Sequence, residues 1–111
     1  MEYKIKSRIW IEVNDEMFLG EGRVKLLKAI QRTGSLSKAA KTMNLSYNKA
    51  WKLIDSVNKT SKEPLVQKNT GGSGGGGTIL TPYGKKMINL FDTINTKCWN
   101  FLDKQTTKFT L

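Results

Sequence analysis

The sequence predicts an α+β fold in which a helical middle is framed by short β-hairpins and closed by one long helix. Three observations carry this. Residues 3–13 alternate in hydropathy with period two, as a half-buried strand does. From residue 22 to residue 59, apolar residues recur instead at spacings of three and four, interrupted twice by cap and turn residues. After a glycine-rich stretch, Thr81-Pro82 opens a segment in which the helical spacing runs on for about twenty residues. At 111 residues the chain is long enough for one such domain and not for two.

The first element spans residues 3–13. Tyr3, Ile5, Ile9, Ile11 and Val13 share one parity and Lys4, Lys6, Arg8 and Glu12 hold the other, with Ser7 and Trp10 departing from the pattern. Asn14-Asp15-Glu16 is a turn signal, and Met17-Phe18-Leu19 returns as a second short strand, so residues 1–19 form the N-terminal strands. Gly20 to Gly22 release the chain into a helix with Val24, Leu27 and Ile30 on one face, and Gly34 is suited to stop it. Ser37 reads as the N-cap of a short second helix whose Ala39 and Ala40 permit close packing. Asn44 can take the left-handed conformation that ends it, and Leu45 is expected inside the core.

Ser46 caps a third helix running to about Lys59. At about 100° per residue, Ala50, Leu53, Ile54 and Val57 form its buried stripe, while Asn48, Lys52, Asp55 and Lys59 face the other way. Residues 22–59 therefore make a three-helix core whose second and third helices form a helix-turn-helix. Pro64 ends the helical options. Leu65–Lys68 and Thr78–Leu80 then pair as a hairpin over 65–80 with a glycine-rich tip, which is a wing. The last helix, 82–104, would be about 35 Å long, more than so small a domain can cover. A second copy of the chain is the simplest cover for its distal apolar residues. Residues 105–111 are expected to fray.

Composition narrows the function. The net charge is +10, and eleven basic residues between Arg23 and Lys68 are opposed only by Asp55 and Glu63. A cationic field concentrated in one segment favours a polyanionic partner over a merely solvated face. Histidine is absent and Cys98 is the lone cysteine, which removes the commonest general base and a cysteine-based zinc cluster. The nine carboxylates are scattered, so neither catalysis nor a metal is expected. No apolar run is long enough to span a bilayer and no signal peptide is evident, so a cytoplasmic protein without membrane association is expected. Gly72, Gly74 and Gly77 formally spell a dinucleotide-binding pattern. That pattern needs a helix directly after it, and here a strand follows, so no cofactor is expected. Trp51 is either a packing wedge or a DNA contact, with its flanking angle favouring packing. Trp10 and Trp99 can each bury against a partner subunit.

The combination of Leu26-Leu27-Lys28-Ala29-Ile30, Gly34-Ser35-Leu36-Ser37-Lys38-Ala39-Ala40, Leu45-Ser46-Tyr47-Asn48-Lys49-Ala50-Trp51 and Leu65-Val66 is distinctive. Together with the glycine run 70–77 leading to Leu80-Thr81-Pro82-Tyr83-Gly84, it resembles the N-terminal domain of the ModE family of molybdate-responsive regulators and, more distantly, the winged helix of LysR-type regulators. The resemblance covers residues 20–104. It implies a recognition helix at 46–59 with a wing beside it. It also implies a homodimer held through the N-terminal strands, at Ile9, Trp10 and Ile11, and through the last helix, at Leu90, Phe91, Ile94, Cys98, Phe101 and Leu102. Full-length members look to sense oxyanions through a C-terminal domain that residues 1–111 do not include, and nothing in these residues offers an oxyanion cage. A separate effector or sensor protein is a possible partner.

The expected function is sequence-specific binding of double-stranded DNA by a dimeric transcriptional regulator, at an inverted-repeat operator. Asn48 and Lys52 are the candidates for base edges, with Tyr47 and Lys49 close by. Ser35, Ser37 and Lys38 are expected on phosphates, where helix N-termini welcome anions. Ser46 and Lys59 complete the helix's DNA-facing set, and Lys68, Asn69 and Ser73 place the wing against the backbone or minor groove. Two rivals are a winged-helix protein-interaction module and a non-specific architectural or RNA-binding protein. The concentrated charge weighs against the first, and the lack of a base-stacking aromatic platform against RNA binding.

Overall fold

The structure, a computed structural model, describes residues 2–69 and 77–111, of Asn69 the backbone only. Ser73 lies outside the described residues. The elements follow in the order β1 (Trp10–Val13), β2 (Glu16–Gly20), α1 (Glu21–Thr33), α2 (Leu36–Thr42), α3 (Tyr47–Thr60), β3 (Val66–Asn69), β4 (Gly77–Leu80) and α4 (Pro82–Thr106). β1 and β2 form one antiparallel hairpin and β3 and β4 another.

The first hairpin closes at Val13↔Glu16 over Asn14 and Asp15, with φ of 52° and 65°. Two consecutive positive φ angles give the turn whose twist matches the flanking strands, and Asn and Asp are the side chains that tolerate it. The predicted strand over 3–13 is shorter than expected, since only residues 10–13 are paired. β2 is five residues long and offers no partner further back. Residues 3–9 still alternate between half-buried and exposed, but they lie along α4 through side chains. The Tyr3 hydroxyl donates to the carbonyl of Thr106 at 2.7 Å and to that of Phe109, Ser7 Oγ meets Cys98 Sγ at 3.3 Å, and the Lys4 ammonium stands 5.2 Å from the centre of the Trp99 ring. Ser7 thus keeps the inward parity it seemed to break. Trp99 has its neighbour within the chain, and the expected fraying at 105 begins later: α4 runs to Thr106 and Tyr3 holds the carbonyls around its end.

The three central helices stop where local chemistry dictates. Gly34 has φ +70° and its N–H reaches the carbonyl of Ile30 at 2.7 Å; Asn44 has φ 55°. Ser46 caps α3 by accepting from Lys49 N at 3.1 Å. The cap of α2 is Ser35, not Ser37: Ser35 is extended and accepts from Lys38 N at 3.2 Å, while Ser37 is exposed in the first turn. The reason is Leu36, 7% exposed. The helix opens on Leu36 so that its side chain drops into the core.

That core joins α1, α2 and α3 to both hairpins and to the first turns of α4. Leu19, Leu26, Leu27, Ile30, Val57 and Leu65 are completely enclosed, and the small Ala39, Ala40 and Ala50 let the helix-turn-helix pack closely. Leu45, expected inside, is half-buried at the rim. α4 enters through a tight joint. Thr81 N donates to the Leu65 carbonyl at 2.9 Å, its hydroxyl donates to Pro64 O at 2.7 Å, and the same oxygen accepts from Gly84 N at 2.9 Å. A Cβ on Gly84 would sit 2.2 Å from the Leu65 carbonyl oxygen. The Leu-Thr-Pro-Tyr-Gly segment is therefore a docking joint as well as a helix start.

Candidate nucleic-acid interface

α3 presents the side opposite Ala50, Ile54 and Val57 to solvent, and its first turns carry Tyr47, Asn48, Lys49 and Lys52, all exposed. The start of α2 and the base of the wing flank it. Ser35, Ser37 and Tyr47 line one cleft with Lys68, Gly77 and Thr78. An adjoining cleft runs between α3 and β3, lined by Tyr47, Trp51, Asn58, Gln67 and Lys68 among others. Residues 33 positions apart in sequence, from Ser35 to Lys68, thus meet at one groove beside the outward face of α3. Trp51 is 44% exposed and forms part of the wall facing the wing. Of the wing residues expected to contribute, Lys68 is exposed on β3, Asn69 ends that strand, and Ser73 is not described.

The ion pairs redistribute the basic segment. Lys25 pairs with Glu21 at 3.3 Å, Lys28 with Asp92 at 2.9 Å, and Lys59 with Asp55 at 2.9 Å. Arg23 is spent on the first hairpin: its guanidinium donates to the carbonyls of Met17 at 3.1 Å and Phe18 at 3.4 Å and to Ser56 Oγ at 3.2 Å. Burial there lowers its pKa from the ordinary arginine value, because desolvation disfavours the cation. Among the described residues, Lys38, Lys41, Lys49, Lys52 and Lys68 have no carboxylate within ion-pair distance. All five are exposed, on α2, α3 and β3. Within the basic segment, Lys25, Lys28 and Lys59 are locally balanced, while these five lysines leave uncompensated charge on the helix-turn-helix and the wing; Arg32 at the end of α1 and Lys62 past the end of α3 are likewise without an ion pair among the described residues. Lys59 does not share the environment of Lys49 and Lys52.

The residues expected at a dimer contact divide in two. Trp10, Leu90, Ile94 and Phe101 are exposed by 53%, 45%, 44% and 59%. Leu90, Ile94 and Phe101, at spacings of four and seven, form one stripe along α4. Phe91, in contrast, is buried in the chain's own core at 3% exposure and cannot meet a partner, because the inner face of α4 at that level closes over α1. Ile9 and Ile11 are half-buried against the same core, and Cys98 and Leu102 are half-buried on α4.

The sequence reading missed Arg23 as a tie between hairpin and helix, and Asn58, whose side chain meets the wing strand. Both were hidden by type: an Arg in a basic segment reads as field, and an Asn on a helix flank reads as solvated.

Comparison with known proteins agrees with this geometry. Residues 22–85 match the bacterial regulatory helix-turn-helix proteins of the lysR family. The chain is 43% identical over 84 residues to the transcriptional regulator ModE of Haemophilus influenzae, covering 76% of this chain and 33% of that protein. It is 40% identical over 84 residues to the DNA-binding transcriptional dual regulator ModE of Escherichia coli K12, covering 76% and 32%. With the molybdenum transport protein ModE of Azotobacter vinelandii it shares 38% identity over 98 residues, covering 88% and 36%. The chain spans about a third of the length of these relatives. With its α+β architecture, its helix-turn-helix and its hairpin wing, the chain belongs to the lysR family of bacterial regulatory helix-turn-helix proteins and has the form of a ModE-like N-terminal DNA-binding domain.

Proposed function

We propose that this protein binds double-stranded DNA in a sequence-specific way as a dimeric transcriptional regulator. The observation that carries the proposal is the exposed N-terminal half of α3, bearing Asn48, Lys49 and Lys52. Lys38 and Lys41 on the neighbouring α2 and Lys68 on the wing add further cations, and among the described residues no carboxylate pairs with any of them. A helix of this width fits the major groove, where Asn pairs with an adenine edge and Lys with a guanine edge. Ser35, Ser37 and Lys38 at the start of α2, and Lys68 on the wing, contact phosphates on either side and fix the register. The exposed α4 stripe, with Trp10, pairs two copies about a two-fold axis, so the operator is an inverted repeat with half-sites a whole number of helical turns apart.

The relatives keep most of their length outside the matched segment. We place effector reading there or on a separate sensor protein, not on the residues described. Action on DNA puts the protein in the cytoplasm. The decisive experiment is selection of bound sites from a pool of random duplexes. An enriched inverted repeat is the expected result, and recovery of no preferred sequence would overturn specific regulation. A protein-interaction module, the rival reading, would show no gel shift at either low or moderate salt.

A further inference from the structure

Asn58, on the flank of α3, is half-buried, and its side-chain amide makes three hydrogen bonds to the start of the wing. Nδ2 donates to the carbonyl of Val66 at 3.0 Å, and Oδ1 accepts from the N–H groups of Leu65 at 2.9 Å and Val66 at 3.2 Å. Bonding both the N–H and the C=O of Val66, the amide takes the place that a third strand would hold at the outer edge of β3. Among the described residues it is the only α3 side chain hydrogen-bonded to the wing. The second wing strand is fastened elsewhere: Thr78 N donates to the carbonyl of Gly34 at 3.0 Å, and a Cβ on Gly77 would lie 2.8 Å from that same oxygen. The base of the hairpin is thus tied on one side to the recognition helix and on the other to the turn that opens the helix-turn-helix.

Lys68 lies two residues beyond Val66 on β3, about 7 Å along the strand. Any tilt at the Asn58 tie therefore carries Lys68 with it. We infer that Asn58 is a positioning residue for DNA binding: it sets the angle of the wing against α3, so that Lys68 meets the phosphate backbone when the helix lies in the groove. The inference rests on the DNA-binding reading above. Asn58 acts through the wing and not on a base edge: its oxygen and one of its two N–H groups are taken by the backbone of Leu65 and Val66.

The test combines two readouts on the intact chain. In the first, hydrogen exchange at the Leu65 and Val66 amides is measured in the parent, Asn58→Ala and Asn58→Asp, at a temperature where circular dichroism shows all three folded. Exchange should accelerate most in Asn58→Ala and less in Asn58→Asp, whose carboxylate still accepts from both amides but sets its second oxygen against the Val66 carbonyl. The second is a double-mutant cycle on the selected operator with Lys68→Ala. Lys68→Ala should weaken binding severalfold in the parent and by less than about twofold in the Asn58→Ala background, since a wing already adrift has no contact left to lose. Footprints should shrink at the flanks and persist over the bases read by α3. Unchanged amide protection in Asn58→Ala, or an equal cost of Lys68→Ala in both backgrounds, would overturn the assignment. Should the parent bind no DNA, the functional reading fails, while the exchange experiment still reports whether Asn58 holds the strand.

Discussion

Gly84 shows how a single missing atom positions a helix. Its Cα faces the Leu65 carbonyl so closely that a methyl group would stand 2.2 Å from the oxygen, and that oxygen is already held by Thr81 N. Neither partner is a flexible side-chain end, so Gly84→Ala should cost about 2–3 kcal/mol as the backbone shifts, read as a lower urea midpoint. The Thr-Pro helix start was legible in the sequence. The need for glycine two residues later was not, because the atom it avoids belongs to a residue 19 positions earlier. Lys52 presents the opposite case, an exposed side chain for which we propose a base-edge contact. Lys52→Ala should weaken specific binding by about 1–3 kcal/mol and relax one operator position, measured by titration against single-base variants. An even loss across all sequences would make Lys52 a phosphate contact instead.

The short helix α2 separates two serines that look equivalent in sequence. Ser35 accepts from Lys38 N, whereas Ser37 points to solvent from the first turn. Ser35→Ala should therefore cost about 1 kcal/mol of stability. Ser37→Ala should change stability by less than about 0.5 kcal/mol and act, if at all, on DNA affinity. Thermal denaturation of the two variants beside their gel shifts separates the roles. α3 divides along its length in a similar way. Its first half carries unpaired Lys49 and Lys52, while its second half is occupied with internal work: Asp55 holds Lys59, Ser56 receives Arg23 and Asn58 holds β3. The stripe of Ala50, Ile54 and Val57 was readable from periodicity. This division was not, since it depends on which elements stand beside each end.

The chain is elongated, 60 × 30 × 22 Å with a radius of gyration of 16.8 Å. A compact domain of this length would have a radius of about 13 Å. The excess comes from α4, whose distal half has the extended residues 3–9 for company and leaves Ile94 and Phe101 in water. If two copies pair through this stripe as proposed, the parent should sediment as a dimer and an Ile94→Glu chain as a monomer that loses affinity for the inverted repeat while keeping its circular dichroism. A pair of chains also concentrates charge. If Lys38, Lys41, Lys49 and Lys68 of each protomer lie on phosphates, the logarithm of the binding constant should fall with the logarithm of salt at a slope of about −7. A slope near zero would contradict the proposed surface.

Caps, turns and stripes were written locally. Gly34, Asn44, Ser46, Thr81 and the alternation of residues 3–13 all act within a few positions, and each could be read before any coordinate was known. The ties across the chain could not. Tyr3 with Thr106, Lys28 with Asp92, Arg23 with Ser56 and Asn58 with Val66 join residues whose separation carries no period, so only the packed arrangement of helices and hairpins reveals them. That arrangement cancels some cations of the basic segment, leaves others free beside α3, and closes Phe91 into the core while Ile94 stays outside. Propensity and periodicity are short-range properties of a chain. Which charge survives and which apolar face stays open are set by its long-range contacts.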